Sequence, residues 1–268
     1  MILFPPAKIN LGLHVVAKRT DGFHELETVF LATPLKDALE VLKADRMQFT
    51  TSGLTVSGAP EDNLCLRAYQ LMHQKHHLAP VKIHLHKVIP MGAGLGGGSA
   101  DAAYTLLALN ELFELGLSNE LLRQYAAQLG SDCAFFIDPI PHYASGRGEV
   151  LEPIAVDLSA YKIGIVYPAV HVNTGWAYRQ ITPKAPAIGL KEILKQPIAT
   201  WKTQLVNDFE AAVFPSHPAL EDIKSKLYAM GAVYACMSGS GSAFFGLFPK
   251  ESTLDWSEFR KQNYFCFD

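Results

Sequence analysis

The stretch "PMGAGLGGGSADAA", residues 90–103, places five glycines within the seven positions 92–98. Before it, "VKIHLHKVIP" alternates apolar and polar residues as a half-buried strand does. After it, apolar residues recur at intervals of three and four, which is typical of a helix, and Ser99 stands where the N-cap of that helix is expected. The sequence therefore predicts a strand, a glycine-rich loop and a helix, in that order.

Glycines at such a junction let the backbone approach an anion, because no Cβ intervenes and several N–H groups can point inward. The N-terminus of the following helix adds a partial positive charge. A phosphate chain is the expected ligand. The plainer explanation of the glycines is a tight turn that needs positive φ angles. The residues expected to bind the phosphates are Pro90, Met91, Gly92, Ala93, Gly94, Leu95, Gly96, Gly97, Gly98, Ser99 and Ala100.

Two common phosphate motifs do not fit this loop. "GAGLGG", residues 92–97, satisfies G-x-G-x-x-G, but a dinucleotide site also requires an acidic residue at the end of a second strand about 20 residues later. The region concerned, "TLLALNELFELG", has a helical pattern instead. The P-loop motif requires a lysine directly after the glycines, and none is present.

Composition narrows the class of protein. The 268 residues are 49% apolar and 18% charged, and a net charge of −3 offers no basic surface for nucleic acid. The cysteines, at positions 65, 133, 236 and 266, form no C-x-x-C pair, so we expect reduced thiols rather than zinc sites or disulfides. The N-terminus lacks a basic leader, and no run approaches about 18 apolar residues. We therefore expect a soluble cytoplasmic protein.

Periodicity predicts an α+β chain that opens with strands, and a boundary near residue 153 divides it into 1–153 and 154–268. Strands are expected within 8–19, 26–33, 37–58, 81–90, 147–154, 161–168, 233–248 and the end of 255–267. Helices are expected within 61–76, 103–113, 118–130, 217–232 and the start of 255–267, with a short helix in the proline-containing stretch 181–200.

Three motifs together resemble those of the GHMP kinase superfamily. The glycine loop is similar to its second motif, which wraps the phosphates of ATP, and "MSGSGSAFFGLF", residues 237–248, resembles its third. "PAKINLGLHVVAKRTDGFHELETVF", residues 6–30, resembles the opening of a member whose acceptor is a sugar alcohol linked to cytidine diphosphate. The resemblance spans nearly the whole chain and is weakest from about 180 to 230.

This resemblance implies a fold and a reaction. The fold would be α+β and two-domain, with an N-terminal half like ribosomal protein S5 domain 2 and a ferredoxin-like C-terminal half. The reaction would be ATP-dependent phosphorylation of the 2-hydroxyl of a cytidyl-linked methylerythritol, in the non-mevalonate route to isoprenoid precursors. ATP and Mg²⁺ would be the cofactors, a small molecule the partner, and the protein a monomer or weak homodimer.

The resemblance also implies two catalytic residues. Lys8 lies in the apolar strand "AKINL", where an isolated lysine usually faces solvent; its counterpart lies beside the acceptor hydroxyl and favours a developing alkoxide. Asp132 lies in "GSDCAFF", where helix capping is the plainer role, and its counterpart acts as general base or orients the hydroxyl. Cys133 and Ala134 depart from the Val and Pro of many members. The two ionised side chains are expected to converge.

Asp101 competes for the catalytic role because it is acidic and adjoins the loop. Its place in the first helical turn favours a stabilising role on the surface, where it complements the helix dipole. We leave it outside the catalytic set, with a contact to Mg²⁺ left open.

Substrate recognition falls on "DGFHE", where a turn exposes an aromatic ring beside a histidine. The resemblance places Phe23 and His24 at the cytosine, with Phe23 where tyrosine is usual; the plainer alternative is a hairpin turn with an apolar plug. Thr174 and Tyr178 would supply a hydroxyl and the second aromatic wall. Asn10, on the same strand face as Lys8, would meet the methylerythritol hydroxyls.

Other functions remain open at this stage. The clusters "HQKHH" and "HLH" suggest a metal site, but no carboxylate or cysteine completes a ligand set, so a solvated face is favoured and no metal ligands are assigned. Another GHMP enzyme, of the homoserine or mevalonate kinase or diphosphomevalonate decarboxylase type, would have no base to stack on "DGFHE". A catalytically silent ligand-binding member is opposed by the presence of Lys8 and Asp132.

Overall fold

The structure, a computed structural model, describes residues 1–56 and 58–268, so Ser57, within the strand region expected at 37–58, lies outside it. The strands are β1 Ile2–Leu3, β2 Pro6–Lys18, β3 His24–Lys36, β4 Ala38–Lys43, β5 Gln48–Gly53, β6 Val81–Lys87, β7 His142–Ser145, β8 Val150–Pro153, β9 Tyr161–Tyr167, β10 Tyr234–Met237, β11 Phe244–Pro249 and β12 Phe265–Phe267. The α-helices are α1 Leu64–His76, α2 Gly97–Leu112, α3 Asn119–Leu129, α4 Thr174–Gln180, α5 Leu190–Leu194, α6 Trp201–Gln204, α7 Asp208–Val213, α8 Pro218–Ala229 and α9 Ser257–Lys261. Short 3-10 helices span Pro60–Asp62, Cys133–Ile137 and Ile198–Thr200.

Two compact units make up the chain, and neither is continuous in sequence. Unit 1 comprises Met1–Lys8, Ala32–Met91 and Gly96–Pro139, and unit 2 comprises Ile9–Leu31, Gly92–Leu95 and Ile140–Asp268. The boundary near residue 153 divides the chain only once, and it stays a prediction about its domains.

Unit 1 is built on the sheet β1-β4-β6-β5, in which only the β5–β6 pair is parallel. Along β6, Val81, Ile83 and Leu85 are buried, as their alternation predicts. Helix α2 packs against α1 and α3, and small residues on α2 allow this close packing. The sheet face and these helices enclose the core of the unit.

Unit 2 contains the antiparallel sheet β10-β11-β9-β12 and a second sheet of order β2-β3-β7-β8, to which β2 and β3 bring residues 9–18 and 24–31. Its core is rich in aromatic side chains, among them Phe209, Phe244 and Phe248. The expected order of strand, glycine turn and strand over 233–248 is confirmed, as is the edge position of β12. Helices α4, α6 and α7 were not predicted.

Among residues 1–56 and 58–268, none of the helices has the length and hydrophobicity that a membrane span requires. The cysteines in the described part of the chain form no disulfide, and three of the four are buried.

A buried charge cluster lies under the start of α2. The ammonium of Lys87 donates to Asp37 and, at 2.8 Å, to Asp101, and all three side chains are at most 3% exposed. Asp37 also accepts the backbone N–H groups of residues 88 and 89. A Cβ on Gly97 would lie 2.8 Å from the Lys87 Nζ, so glycine is needed where α2 begins. The cluster ties α2 to β6.

The expectation that Asp101 lies on the surface is wrong. Its position in the helix does suit the dipole, but the partner that decides its burial, Lys87, is distant in sequence and comes from β6. One oxygen, Oδ1 of Asp101, is buried without a hydrogen-bond partner among the described residues. Burial raises the pKa of Asp101, and the attraction of Lys87 offsets this only in part.

We expect Asp101→Asn to stabilise the protein progressively, relative to the wild type, as pH rises. Because the pKa of Asp101 is higher in the folded state than its unfolded value near 4, folding favours the protonated carboxyl. The stability that this group contributes is therefore present at low pH and lost as pH rises through about 4 to 7. The amide keeps the shape and lacks this dependence. Tm measured over this range should show the variant gaining on the wild type by a few °C.

The exposed Asp222 on α8 provides the control, since Asp222→Asn changes the net charge equally. A difference in Tm that stays flat or falls with pH for Asp101→Asn would contradict the expectation.

Candidate active site

The glycine loop has a backbone that glycine alone adopts readily. Gly92, Gly94 and Gly96 have φ angles of +65°, +80° and +69°. The two residues that alternate with them, Ala93 and Leu95, are each 1% exposed. Buried anchors thus alternate with left-handed glycines, and this fixes the path of the loop.

Gly94 comes very close to the third glycine motif, residues 237–248, within unit 2. A Cβ on Gly94 would lie 2.0 Å from the carbonyl oxygen of Ser238, which no side chain tolerates. The Ser238 hydroxyl donates to the carbonyl oxygen of Gly94 at 2.9 Å, and the N–H of Ala243 donates to that of Ala93 at 3.0 Å. The two motifs recognised in the sequence therefore support each other.

Helix α2 begins at Gly97, so the expectation that Ser99 is its N-cap is wrong. Gly96 occupies the N-cap with a left-handed backbone, and no side chain caps the helix. Two successive glycines can extend the helix toward the loop, whereas the rule that predicted Ser99 considers only side chains that accept hydrogen bonds. An N-terminus without a side-chain cap is suited to an anion.

The other residues predicted to bind phosphate flank these glycines. Pro90 and Ala100 are buried, Met91 is exposed, and Gly98 and Ser99 are half-buried in the first turns of α2.

Lys8 and Asp132 converge as expected. The Nζ of Lys8 lies 3.5 Å from Oδ2 of Asp132 within unit 1. The lysine is on β2, and the aspartate follows α3 and precedes the fully buried 3-10 helix Cys133–Ile137. A Cβ on Gly96 would lie 3.0 Å from Cγ of Lys8, so the lysine stem runs along the start of α2.

The expectation that an isolated lysine on this strand faces solvent does not apply to Lys8, which is 3% exposed. Burial lowers the pKa of Lys8, and the charge of Asp132 raises it by less. The side chain of Asp132 remains 29% exposed. The pair therefore combines a desolvated cation with a carboxylate that a ligand can reach.

Asn10 is buried two residues beyond Lys8 on β2. Its amide donates to the hydroxyl of Thr28 at 2.9 Å, and its Oδ1 lies 3.4 Å from the hydroxyl of Ser238. The third glycine motif thus contacts a residue predicted to bind the acceptor.

His24 and Tyr178, which the family resemblance assigns to the same base, are in contact in unit 2. Their rings are parallel within 12°, with centroids 4.7 Å apart. The edge of Phe209 packs on Tyr178 at 4.9 Å. Burial, and to a lesser degree the charge of Lys18, lowers the pKa of His24, which favours the neutral ring.

Phe23, in the turn that follows β2, is 53% exposed. The carboxylate of Asp21 accepts the N–H of Phe23 at 3.1 Å, which fixes the turn. The guanidinium of Arg147 lies 4.8 Å from the ring centroid. The ring is thus supported by a cation and still accessible.

Thr174 begins α4, and its hydroxyl lies 2.8 Å from that of Ser240 in the third glycine motif. Asn173 caps the helix by accepting the N–H of Trp176. Because Thr174 and Tyr178 are four residues apart on one helix, they share a face.

Sequence reasoning missed the contacts by which several residues organise this region. Ser238, Ser240 and Asn207 contact the loops through interactions that join distant segments. A cavity of about 270 Å³ in unit 1, lined among others by Asn63, Met91 and Gly98, adjoins the glycine loop and was also missed. The glycine motif and Asp101, which also lines the cavity, were sequence signals near it.

The histidines of β6 contact hydroxyl groups. His84 lies within hydrogen-bonding distance of Thr50 and Ser52, and His86 of Ser52. Among residues 1–56 and 58–268, no group of three acidic, histidine or cysteine side chains is arranged to hold a metal ion.

Comparison with known proteins is consistent with this geometry. Residues 63–138 match the family model "GHMP kinases N terminal domain", and residues 190–255 match "GHMP kinases C terminal". A crystal structure of mevalonate kinase, 16% identical, superposes with a TM-score of 0.71 and covers 100% of this chain and 98% of that one, which shows the fold. The expected α+β GHMP kinase fold is confirmed.

Closer relatives are more specific. A 4-diphosphocytidyl-2-C-methyl-D-erythritol kinase from Bacteroides thetaiotaomicron is 51% identical, over 100% of this chain and 98% of its own length. The crystal structure of a 4-(cytidine 5'-diphospho)-2C-methyl-D-erythritol kinase has a TM-score of 0.80 at 36% identity and covers 92% of this chain and 90% of that one. The chain belongs to the GHMP kinases and, within them, to the family of 4-diphosphocytidyl-2-C-methyl-D-erythritol kinases.

Proposed function

We propose that the chain transfers the γ-phosphoryl group of ATP to the 2-hydroxyl of 4-diphosphocytidyl-2-C-methyl-D-erythritol, a step in the non-mevalonate route to isoprenoid precursors. The observation that carries the proposal is the ion pair of Lys8 and Asp132, whose lysine stem runs along Gly96 at the start of α2. The Bacteroides relative bears this activity in its name. We place the enzyme in the cytoplasm, because the cysteines in the described part of this chain are free thiols, which are typical of that compartment.

The glycine loop and the start of α2 would hold the phosphates of ATP. The fit rests on three left-handed glycines and on a helix N-terminus that no side chain caps, which offers backbone N–H groups to an anion. The cavity beside Met91 and Gly98 has room for part of the nucleoside.

Magnesium would accompany the nucleotide. Mg²⁺ commonly keeps several waters and is held by substrate phosphates with one or two carboxylates, so it needs no cage of three protein ligands. The hydroxyl of Ser99 in the first turn of α2 is a group of this chain that would face it. ATP with Mg²⁺ supplies the phosphoryl group, and positioning and neutralisation fall to the protein.

Lys8 and Asp132 would act on the acceptor hydroxyl. The carboxylate of Asp132 accepts the proton of that hydroxyl, or orients it, as the oxygen attacks. The ammonium of Lys8, desolvated and fixed by its partner, stabilises the negative charge on the attacking oxygen. The attraction between this ammonium and the attacking oxygen is stronger in the buried site than it would be in water.

The cytidyl group would bind at Phe23, His24, Thr174 and Tyr178. The rings of His24 and Tyr178 are stacked with centroids 4.7 Å apart. A third ring between them would need two contact distances of about 3.5 Å each, so the imidazole covers the face of Tyr178 that it stacks on. A base between Phe23 and Tyr178 therefore requires the imidazole of His24 to turn away from Tyr178. Phe23 is already exposed for stacking, and Asn10 would contact the methylerythritol part of the substrate.

An assay of ADP release that compares the cytidyl substrate with mevalonate and homoserine tests the proposed choice of acceptor. We expect turnover only with the cytidyl substrate, because only that acceptor carries a base for Phe23 and His24. Turnover with mevalonate or homoserine alone would indicate another GHMP kinase, and no turnover with any acceptor would favour a silent ligand-binding protein.

We expect Asp132→Ala to reduce kcat by about 10²- to 10⁴-fold while the affinity for ATP stays nearly unchanged. The carboxylate would act on the hydroxyl, whereas the glycine loop holds the nucleotide. Turnover and calorimetric binding of a non-hydrolysable ATP analogue measure the two effects. The control is Asp138→Ala, which removes a nearby carboxylate that pairs with Arg123. A main effect on nucleotide affinity would defeat the assignment.

Phe23→Ala should raise the KM for the cytidyl substrate about tenfold, because stacking of a base on an aromatic side chain is lost. The KM for ATP should stay the same. Phe4, an equally exposed phenylalanine of unit 1, serves as the control, and Phe4→Ala should change neither KM. An unchanged KM in Phe23→Ala removes this ring from the site.

A further inference from the structure

Asn207 is a buried polar residue that joins three separate segments of unit 2. It precedes α7, and its side chain is 2% exposed. The side-chain Nδ2 donates to the carbonyl oxygens of Met237 and Gly239, each at 2.8 Å. The side-chain Oδ1 accepts the N–H of Phe209 at 3.0 Å. Both donors and the acceptor are therefore engaged by backbone.

The two carbonyl groups belong to the third glycine motif. Met237 ends β10, and Gly239 has a φ of +56° in the turn that leads to β11. Between them lies Ser238, which donates to Gly94 and contacts Asn10. The amide of Asn207 thus holds the turn on both sides of the serine that meets the glycine loop.

The backbone around Asn207 is also fixed to β2. Leu13 and Asn207 form a parallel β-bridge, and the N–H of Leu13 donates to the carbonyl of Val206 at 2.9 Å. Two residues further along β2, the N–H of Val15 donates to the carboxylate of Asp208 at 2.8 Å. Asn207 therefore couples the third glycine motif to the strand that carries Asn10.

We propose that Asn207 is a positioning residue that holds the third glycine motif in register with the glycine loop and with β2, and so sets nucleotide affinity without touching the nucleotide. This proposal rests on the proposed function, because it assigns the glycine loop to ATP. A side chain that satisfies two carbonyl groups on either side of Ser238 fixes the carbonyl oxygen of Ser238, and that oxygen packs against the Cα of Gly94.

A purely structural role makes a different prediction. Asparagine before a helix is a common N-cap, and Asn207 does cap α7. An aspartate at this position would cap as well, so capping alone predicts that Asn207→Asp resembles the wild type. The positioning role predicts otherwise, because the carboxylate cannot donate to Met237 and Gly239 and places an oxygen against their carbonyl oxygens.

The experiment measures the affinity of Asn207→Asp for a non-hydrolysable ATP analogue by calorimetry, together with kcat, both KM values and Tm. We expect the Kd and the KM for ATP to rise about tenfold, which is the effect of losing two buried hydrogen bonds at the loop. Asn207→Ser, which keeps a capping oxygen and adds no charge, should shift both in the same direction, and it replaces Asn207→Asp if that variant does not fold.

Asn110→Asp is the matched control. The amide of Asn110 also donates to a backbone carbonyl, that of Leu117, and it lies at the opposite end of α2 from the glycine loop. We expect its Tm to fall without a change in nucleotide affinity.

A nucleotide affinity for Asn207→Asp and Asn207→Ser within about twofold of the wild type, or a shift equal to that of Asn110→Asp, overturns the positioning role. Because binding is measured directly, this result is distinct from failure of the proposed function. That failure appears as wild-type protein that binds the analogue and does not phosphorylate the cytidyl substrate.

Discussion

The close approach of two backbones constrains the architecture of the candidate site. At Gly94, the position that a Cβ would take lies 2.0 Å from the carbonyl oxygen of Ser238, so two glycine-containing segments can meet only because one of them has no side chain. Buried Ala93 and Leu95 hold the loop on either side of that point. The hydroxyl of Ser238 then adds a hydrogen bond to the carbonyl of Gly94. Steric exclusion and hydrogen bonding therefore select the same loop conformation.

Two buried lysines differ in how far nearby carboxylates offset the effect of burial on the lysine pKa. Lys87 and Lys8 are both at most 3% exposed. Burial lowers the pKa of Lys87, but two buried carboxylates outweigh it and the pKa is raised. For Lys8, the charge of the partly exposed Asp132 does not offset burial, and the pKa is lowered. Lys87 is thus held in its charged form by the protein, whereas an anionic ligand beside the desolvated Lys8 would favour the charged form of that lysine.

The sequence predicted those features that depend on neighbours along the chain. The order of strand, glycine loop and helix follows from local periodicity and from the conformational freedom of glycine. The convergence of Lys8 and Asp132 required the family resemblance, because the two residues are far apart in the sequence. Ser99 failed as an N-cap because Gly97 and Gly98 extend the helix toward the loop. Asp101 failed as a surface residue because its partner, Lys87, comes from β6, and Lys87 in turn pairs with Asp37, the residue after β3.

Asn207 shows why motifs describe only part of a site. Nothing in "QLVNDFEAA" has the composition of a loop that binds phosphate, and its neighbouring helices are short. Its significance arises from the carbonyl groups of Met237 and Gly239, which accept its amide in a turn whose own serines, Ser238 and Ser240, bond to other segments. A turn that gains conformational freedom from glycine thereby depends on a polar side chain elsewhere in the chain. Glycine gives this turn access to many backbone conformations. The buried amide of Asn207, bonded to the carbonyl groups of Met237 and Gly239, restricts the turn to one of them.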